Sequence, residues 1–118
     1  MERCVEVGVS YSESPIVAAT AKFITTTMSR ERPTLRMAAR ALNTSPRSLQ
    51  RMLDQAGVSF SELLTQLESG RACELLHDPT LHIRQISRSL GYRDPSSFSR
   101  AFRNWTGASP RDYRRRLK

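Results

Sequence analysis

From residue 15 almost to the end of this chain, apolar positions recur at helical spacing, and one arrangement of them occurs twice. In the first copy Leu35, Ala38, Ala39 and Leu42 lead to Ser45-Pro46 and then to Leu49 and Leu53. In the second copy Ile83, Ile86, Ser87 and Leu90 lead to Asp94-Pro95 and then to Phe98 and Phe102. The offset is 48 as far as Leu42/Leu90 and 49 from Ser45/Asp94 onward, so the second turn holds one extra residue. Each copy predicts a helix, a tight turn and a second helix.

The remaining elements follow from caps and breakers. Ser14-Pro15 opens a helix carrying Ile16, Val17, Ala19, Phe23, Ile24 and Met28, which ends near Ser29. Thr34 caps the helix from Leu35 to Leu42; Ser45-Pro46 starts the next, which runs to about Ala56 and stops at Gly57. Phe60, Leu63, Leu64, Leu67, Ala72, Leu75 and Leu76 mark a long connecting helix closed by Asp78-Pro79. Gly70 lies inside it and costs about 1 kcal/mol relative to Ala, which suggests a kink or a close helix approach. Ile83 to Leu90, Asp94-Pro95 to about Thr106, and a short helix from Ser109-Pro110 complete the chain.

The expected fold is therefore all-α, with two helix-turn-helix subdomains (14–58 and 79–118) joined by a linker helix (59–78). Residues 1–13 differ: Val5, Val7 and Val9 alternate with Glu6, Gly8 and Ser10 at strand-like period. One strand cannot fold alone, so this segment reads either as a leader or as the remnant of a preceding domain.

Charge changes the picture from fold to partner. A net charge of +8 and a pI near 10.7 point to a polyanion. The basic residues are 17 Arg and only 2 Lys, and the guanidinium fork suits phosphates and guanine edges. A GC-rich genome would raise the Arg share but would not create the positive balance. Cys4 and Cys73 form no Cys-x-x-Cys pair, so neither a disulfide framework nor a zinc site is expected, and Cys73 reads as a small core residue. The apolar runs fall far short of the ~20 residues of a membrane span, and no signal-peptide pattern opens the chain; a cytoplasmic location is expected. His77 and His82 flank a Pro turn without a carboxylate or Cys cluster, which argues against an enzyme or a metal site.

At about 100° per residue, Leu49, Met52, Leu53 and Ala56 share one side of the third helix, with Arg47, Arg51 and Asp54 opposite. In the sixth helix Phe98, Ala101, Phe102 and Trp105 form the apolar side, with Ser96, Arg100 and Arg103 opposite. Under the offset of 49, Arg51 matches Arg100 and Arg47 matches Ser96. The second helix of a helix-turn-helix lays its N-terminal part in the major groove. That nominates Arg47, Ser48, Gln50 and Arg51 in the first unit, and Ser96, Ser97 and Arg100 in the second, as base readers. The helix ends at Pro46 and Pro95 favour phosphate, and Thr34, Ser45, Arg103, Arg111 and Arg114 are the candidates for backbone contacts. The cluster Arg111, Arg114, Arg115, Arg116 and Lys118 reads either as phosphate contacts or as a solvated terminus.

These residues resemble the signature of the AraC/XylS family of bacterial transcription regulators. The marks are Ile86-Ser87, Leu90-Gly91-Tyr92, Phe98-Ser99-Arg100-Ala101-Phe102, Gly107, Pro110 and Tyr113-Arg114 in the second unit. In the first they are Ser45, Leu49-Gln50-Arg51 and Gly57. The resemblance covers roughly residues 15–117 and implies a seven-helix domain of two homeodomain-like subdomains whose recognition helices enter successive major-groove segments. It implies binding to double-stranded promoter DNA, activation through contacts with RNA polymerase, and no cofactor in this chain. It adds Pro95 to the base-reading positions, although proline offers no side-chain donor there. The position four before Ala72 is often basic in the family but is Glu68 here, which puts a phosphate contact in doubt; Ser87 stands where Ala is usual. The stretches around RAFRNWTG and QRMLDQAGVSF are similar to regulators of the ornithine-utilisation type. Those carry a large N-terminal effector domain, so a small-molecule effector would act through a domain missing from this chain. The alternative is a small stand-alone activator of the stress-response type.

Overall fold

The computed structural model describes residues 14–117, and the strand-like segment at 3–10 and Lys118 lie outside them. Seven helices follow in order: α1 (Pro15–Thr27), α2 (Leu35–Ala41), α3 (Pro46–Gln55), α4 (Phe60–Leu76), α5 (Ile83–Ser89), α6 (Pro95–Thr106) and α7 (Pro110–Arg115). There is no strand among the described residues. The expected all-α architecture is the one observed.

Local chemistry sets the helix starts. The side chains of Thr34, Ser45, Asp94 and Ser109 each accept from the backbone N–H three residues on, at 2.8–3.1 Å. Ser59 and Glu62 cap each other reciprocally at the start of α4. Proline occupies the first position of α1, α3, α6 and α7, where its missing N–H costs nothing. Ser14 holds the cap position of α1 without a side-chain bond.

The two turns are built alike. The Thr44 N–H donates to the Ala39 carbonyl at 2.9 Å, and the Tyr92 N–H donates to the Ser87 carbonyl at 3.1 Å, a five-residue closure at equivalent places. Each turn passes through the left-handed region, at Asn43 (φ 60°) and Gly91 (φ 87°). Only the second needs glycine for space as well: a Cβ on Gly91 would lie 3.0 Å from the Met28 carbonyl oxygen.

Two cores lie along α4. Val17, Ala21, Ile24 and Met28 of α1, Ala38 and Ala39 of α2, and Leu49 and Leu53 of α3 surround Leu63. Ala72, Cys73 and Leu76 of α4 pack with Ile86 and Leu90 of α5, Phe98 and Phe102 of α6, and Tyr113 of α7. Burying each of the Val, Leu, Ile, Phe and Met side chains among these is worth about 1.5–3 kcal/mol. Aromatic edges order the second core, with Phe102 and Tyr113 centroids 5.4 Å apart and Tyr92 and Phe98 5.7 Å apart. Cys73 sits in this core as expected, but it is disulfide-bonded, which corrects the expectation that the cysteines of this chain form no disulfide. α4 runs unbroken through Gly70 from one core to the other.

Candidate nucleic-acid interface

Burial of Leu49 and Leu53 fixes the rotation of α3 about its axis and turns the opposite face outward. Arg47, Gln50, Arg51 and Asp54 are exposed there and line one shallow depression. Ser48 is half-buried, its N–H held by the Ser45 hydroxyl oxygen at 3.1 Å. Burial of Phe98 and Phe102 orients α6 in the same way, leaving Pro95, Ser96, Arg100 and Arg103 exposed and Ser97 half-buried. Arg51 and Arg100 thus stand on the outward faces of equivalent helices.

The two helix ends differ electrically. The α3 end is capped by a neutral serine. The α6 end is capped by Asp94, whose carboxylate takes the Ser97 N–H at 2.8 Å. That hydrogen bond, with lesser help from the Ser97 side chain and the charge of Arg100, holds the Asp94 carboxyl below its ordinary range. A negative charge already occupies this positive helix end, so it draws phosphate less than the α3 end does.

The phosphate candidates separate. Thr34, Ser45, Arg103 and Arg111 are exposed, the first two as caps whose hydroxyl oxygens accept from the Met37 and Ser48 N–H groups. Arg114 is half-buried and donates from Nε to the Leu76 carbonyl at 3.1 Å and from Nη2 to the Asp78 carbonyl at 3.0 Å. Its donors serve the end of α4. Glu68 cannot touch phosphate at all, being 1% exposed.

Four arginines join the candidates. Arg84 and Arg88 are exposed on α5 and, with Arg93, Ser87, Tyr92, Asp94 and Pro95, surround a depression at the start of α6. The offset of 48 maps Arg36 onto Arg84 and Arg40 onto Arg88, and both α2 residues are exposed too. The first helix of each unit therefore carries the same basic pair one turn apart. The repeat contained this signal, but apolar periodicity alone does not report it.

Two tight turns holding paired helices, each with its second helix facing outward and arginine-bearing, define a DNA-binding module of the helix-turn-helix class. A family described as a helix-turn-helix domain matches residues 38–116. The ornithine utilization regulator of Pseudomonas aeruginosa is 43% identical over 82 residues, which is 70% of this chain and 24% of that protein. Among solved structures, the C-terminal domain of AraT, a response regulator from Geobacillus stearothermophilus, superposes with a TM-score of 0.78 at 41% identity, covering 86% of this chain and 85% of that one. A DNA-binding transcriptional dual regulator from Escherichia coli K-12 superposes with a TM-score of 0.74 at 32% identity, covering 83% and 87%. The chain belongs to the AraC-type helix-turn-helix family, whose members are DNA-binding transcription regulators. It spans about a quarter of the length of the curated relatives it matches.

Proposed function

We propose that this chain reads promoter DNA sequence-specifically with α3 and α6 in successive major-groove segments on one face of the duplex. The observation that carries the reading is the equivalence of Arg51 and Arg100, exposed on the two recognition helices at matching positions of the repeat. The long dimension of the fold, 42 Å, is comparable with the roughly 34 Å of one DNA turn, so the domain is large enough for a monomer to reach across it. Arg47, Ser48, Gln50 and Arg51, with Pro95, Ser96, Ser97 and Arg100, meet base edges. Thr34, Ser45, Arg103 and Arg111, joined by Arg36, Arg40, Arg84 and Arg88, hold phosphates; Arg114 is withdrawn from that set.

The chain acts without a cofactor and is not an enzyme. It works in the cytoplasm, on the nucleoid, as the DNA-binding part of a larger, ligand-responsive activator that engages RNA polymerase. Its short span relative to its relatives supports that placement, and no helix among the described residues is long and apolar enough to cross a membrane. Selection of bound duplexes from a random library at near-physiological salt tests the reading. Two short motifs about one turn apart are expected; one motif alone limits base reading to a single unit, and no enrichment overturns specific recognition.

A further inference from the structure

The two units touch away from the axis of α4, and the contacts converge on one tyrosine. Arg32, in the segment between α1 and α2, donates from Nη1 to Glu68 Oε2 at 2.9 Å. Its guanidinium carbon lies 4.6 Å from the centre of the Tyr92 ring. The Tyr92 hydroxyl donates to Glu68 Oε1 at 3.4 Å. Tyr92 belongs to the α5–α6 turn, and its ring packs on Phe98 of α6. Beside it, Gly91 abuts the backbone so closely that an added carbon would lie 3.0 Å from the Met28 carbonyl oxygen and 3.3 Å from the Glu31 carbonyl carbon, tighter than a side-chain carbon ordinarily sits.

We propose that Arg32, Glu68 and Tyr92 form a positioning clamp that fixes the angle between α3 and α6, and so decides which spacing of half-sites the chain accepts. The proposal rests on the two-helix reading above. A lone helix would leave that angle soft, because the apolar residues that α4 gives to the first core end at Leu67 and those it gives to the second begin at Ala72, with the buried Glu68 between them. The clamp supplies a second, off-axis point of attachment. The Glu68 side chain is 2% exposed and the Arg32 side chain 44% exposed. A buried carboxylate is tolerated only with its partner in place, so opening the joint strands a charge or wets it. From Arg32 the contact passes through Tyr92 to Phe98, on the buried side of the helix that presents Arg100. The guanidinium is committed to a carboxylate and a ring face, both of which suit Arg far better than Lys.

Two readouts on the 118-residue chain test this. One is the distance distribution between spin labels on noncanonical residues placed at exposed Gln55 and Asn104, measured without DNA. The other is affinity for duplexes carrying both selected half-sites with the spacer changed one base pair at a time; each step turns the second site by roughly 35°. In the wild type the distribution is narrow, and one step off the preferred spacing weakens binding on the order of tenfold, comparable to losing a base contact. In Arg32→Ala and Glu68→Gln the distribution broadens and the spacing penalty shrinks to about twofold, while affinity for a single half-site holds. The double variant Arg32→Met/Glu68→Leu replaces the ion pair with apolar volume, keeps the fold if a single variant does not, and is expected to behave alike. Unchanged widths and an unchanged spacing profile in the double variant overturn the clamp. A wild type that enriches only one motif overturns the spacing role together with the paired reading, and the label distances then still decide whether the clamp holds the helices.

Discussion

Arg114 donates from Nε to the carbonyl oxygen of Leu76 at 3.1 Å, so an arginine of the last helix caps the end of the linker helix. Terminal carbonyls of a helix lack partners within it, and a cation there also meets the negative end of the helix dipole. With the second bond to Asp78, this ties α7 to α4. Removing both bonds in Arg114→Ala is expected to cost about 1–2 kcal/mol, the lower part of the range for charged hydrogen bonds because the side chain is partly exposed. The thermal midpoint should fall by roughly 4–8 °C per kcal/mol. DNA affinity measured well below that midpoint should hold. Arg103→Ala should do the opposite, leaving the midpoint in place while weakening all duplexes alike and reducing the salt slope by about one. An Arg114→Ala chain with an unmoved midpoint and a lower salt slope would return Arg114 to the phosphate set.

Arg51 and Arg100 carry the base-reading argument, and they predict matched defects. Each Ala substitution should cost on the order of 1–3 kcal/mol on the best duplex and relax selection at one position, within a different motif for each variant. Binding selections repeated with each variant check this. Equal losses on every sequence would instead assign the two arginines to the backbone.

Much of this arrangement is legible in the sequence because it is local. Caps such as Thr34, Ser45 and Asp94 bond three residues on, so their helix starts lie within reach of a short pattern. Apolar spacing at Leu49/Leu53 and Phe98/Phe102 sets which face of α3 and α6 turns outward, and both pairs are fully buried. What the pattern does not reveal is pairing between distant polar residues. Arg32 lies 36 residues from Glu68, and Glu68 lies 24 from Tyr92; nothing periodic links them. Read singly, Glu68 is one more charge on a helix, and only the docking of two cores around it makes its burial necessary. Arg114 is lost in a run of arginines for the same reason, since its partners are carbonyls 36 and 38 residues away.

Gly91 and Asn43 occupy equivalent left-handed turn positions but should respond differently to substitution. Asn43→Gly keeps the conformation and meets only solvent, so a change of a few tenths of a kcal/mol is expected. Gly91→Ala adds strain at φ 87° and drives a carbon to 3.0 Å from the Met28 carbonyl oxygen, which is backbone and cannot swing aside. A loss of about 2 kcal/mol or more is expected from the two effects together. Urea unfolding of both variants checks the contrast, and equal small losses would mean that the joint between the units is looser than the structure has it.

The buried carboxylate also sets a pH dependence whose sign is unusual for an acid. Burial raises the Glu68 carboxyl above its ordinary range, outweighing the Arg32 charge and the hydrogen bonds from Tyr92 and Arg32 that pull it down. Tyr92, facing it, is pushed up to about 12, chiefly by burial and then by Glu68, so it stays a neutral donor. Below the ordinary glutamate value, folded and unfolded chains both hold the proton and Glu68 is silent. Between that value and the raised one, only the folded chain holds it, so stability declines as pH rises, and above the raised value the decline is complete. The exposed carboxyls run the other way: hydrogen bonds from Thr80, Ser97 and Arg115 respectively hold Asp78, Asp94 and Asp112 low. Their contributions are present above the ordinary aspartate value and fade as pH falls through their lowered folded values. The two effects run in opposite directions, so the Glu68 contribution has to be isolated from the aspartates. The clean measurement is the difference in urea-unfolding free energy between the wild type and Glu68→Gln across the pH series. That difference should shift against the wild type as pH rises from the ordinary glutamate value toward neutral. A difference that stays flat would show that Glu68 titrates as it does in the unfolded chain, and that its burial in the joint is not what holds its proton.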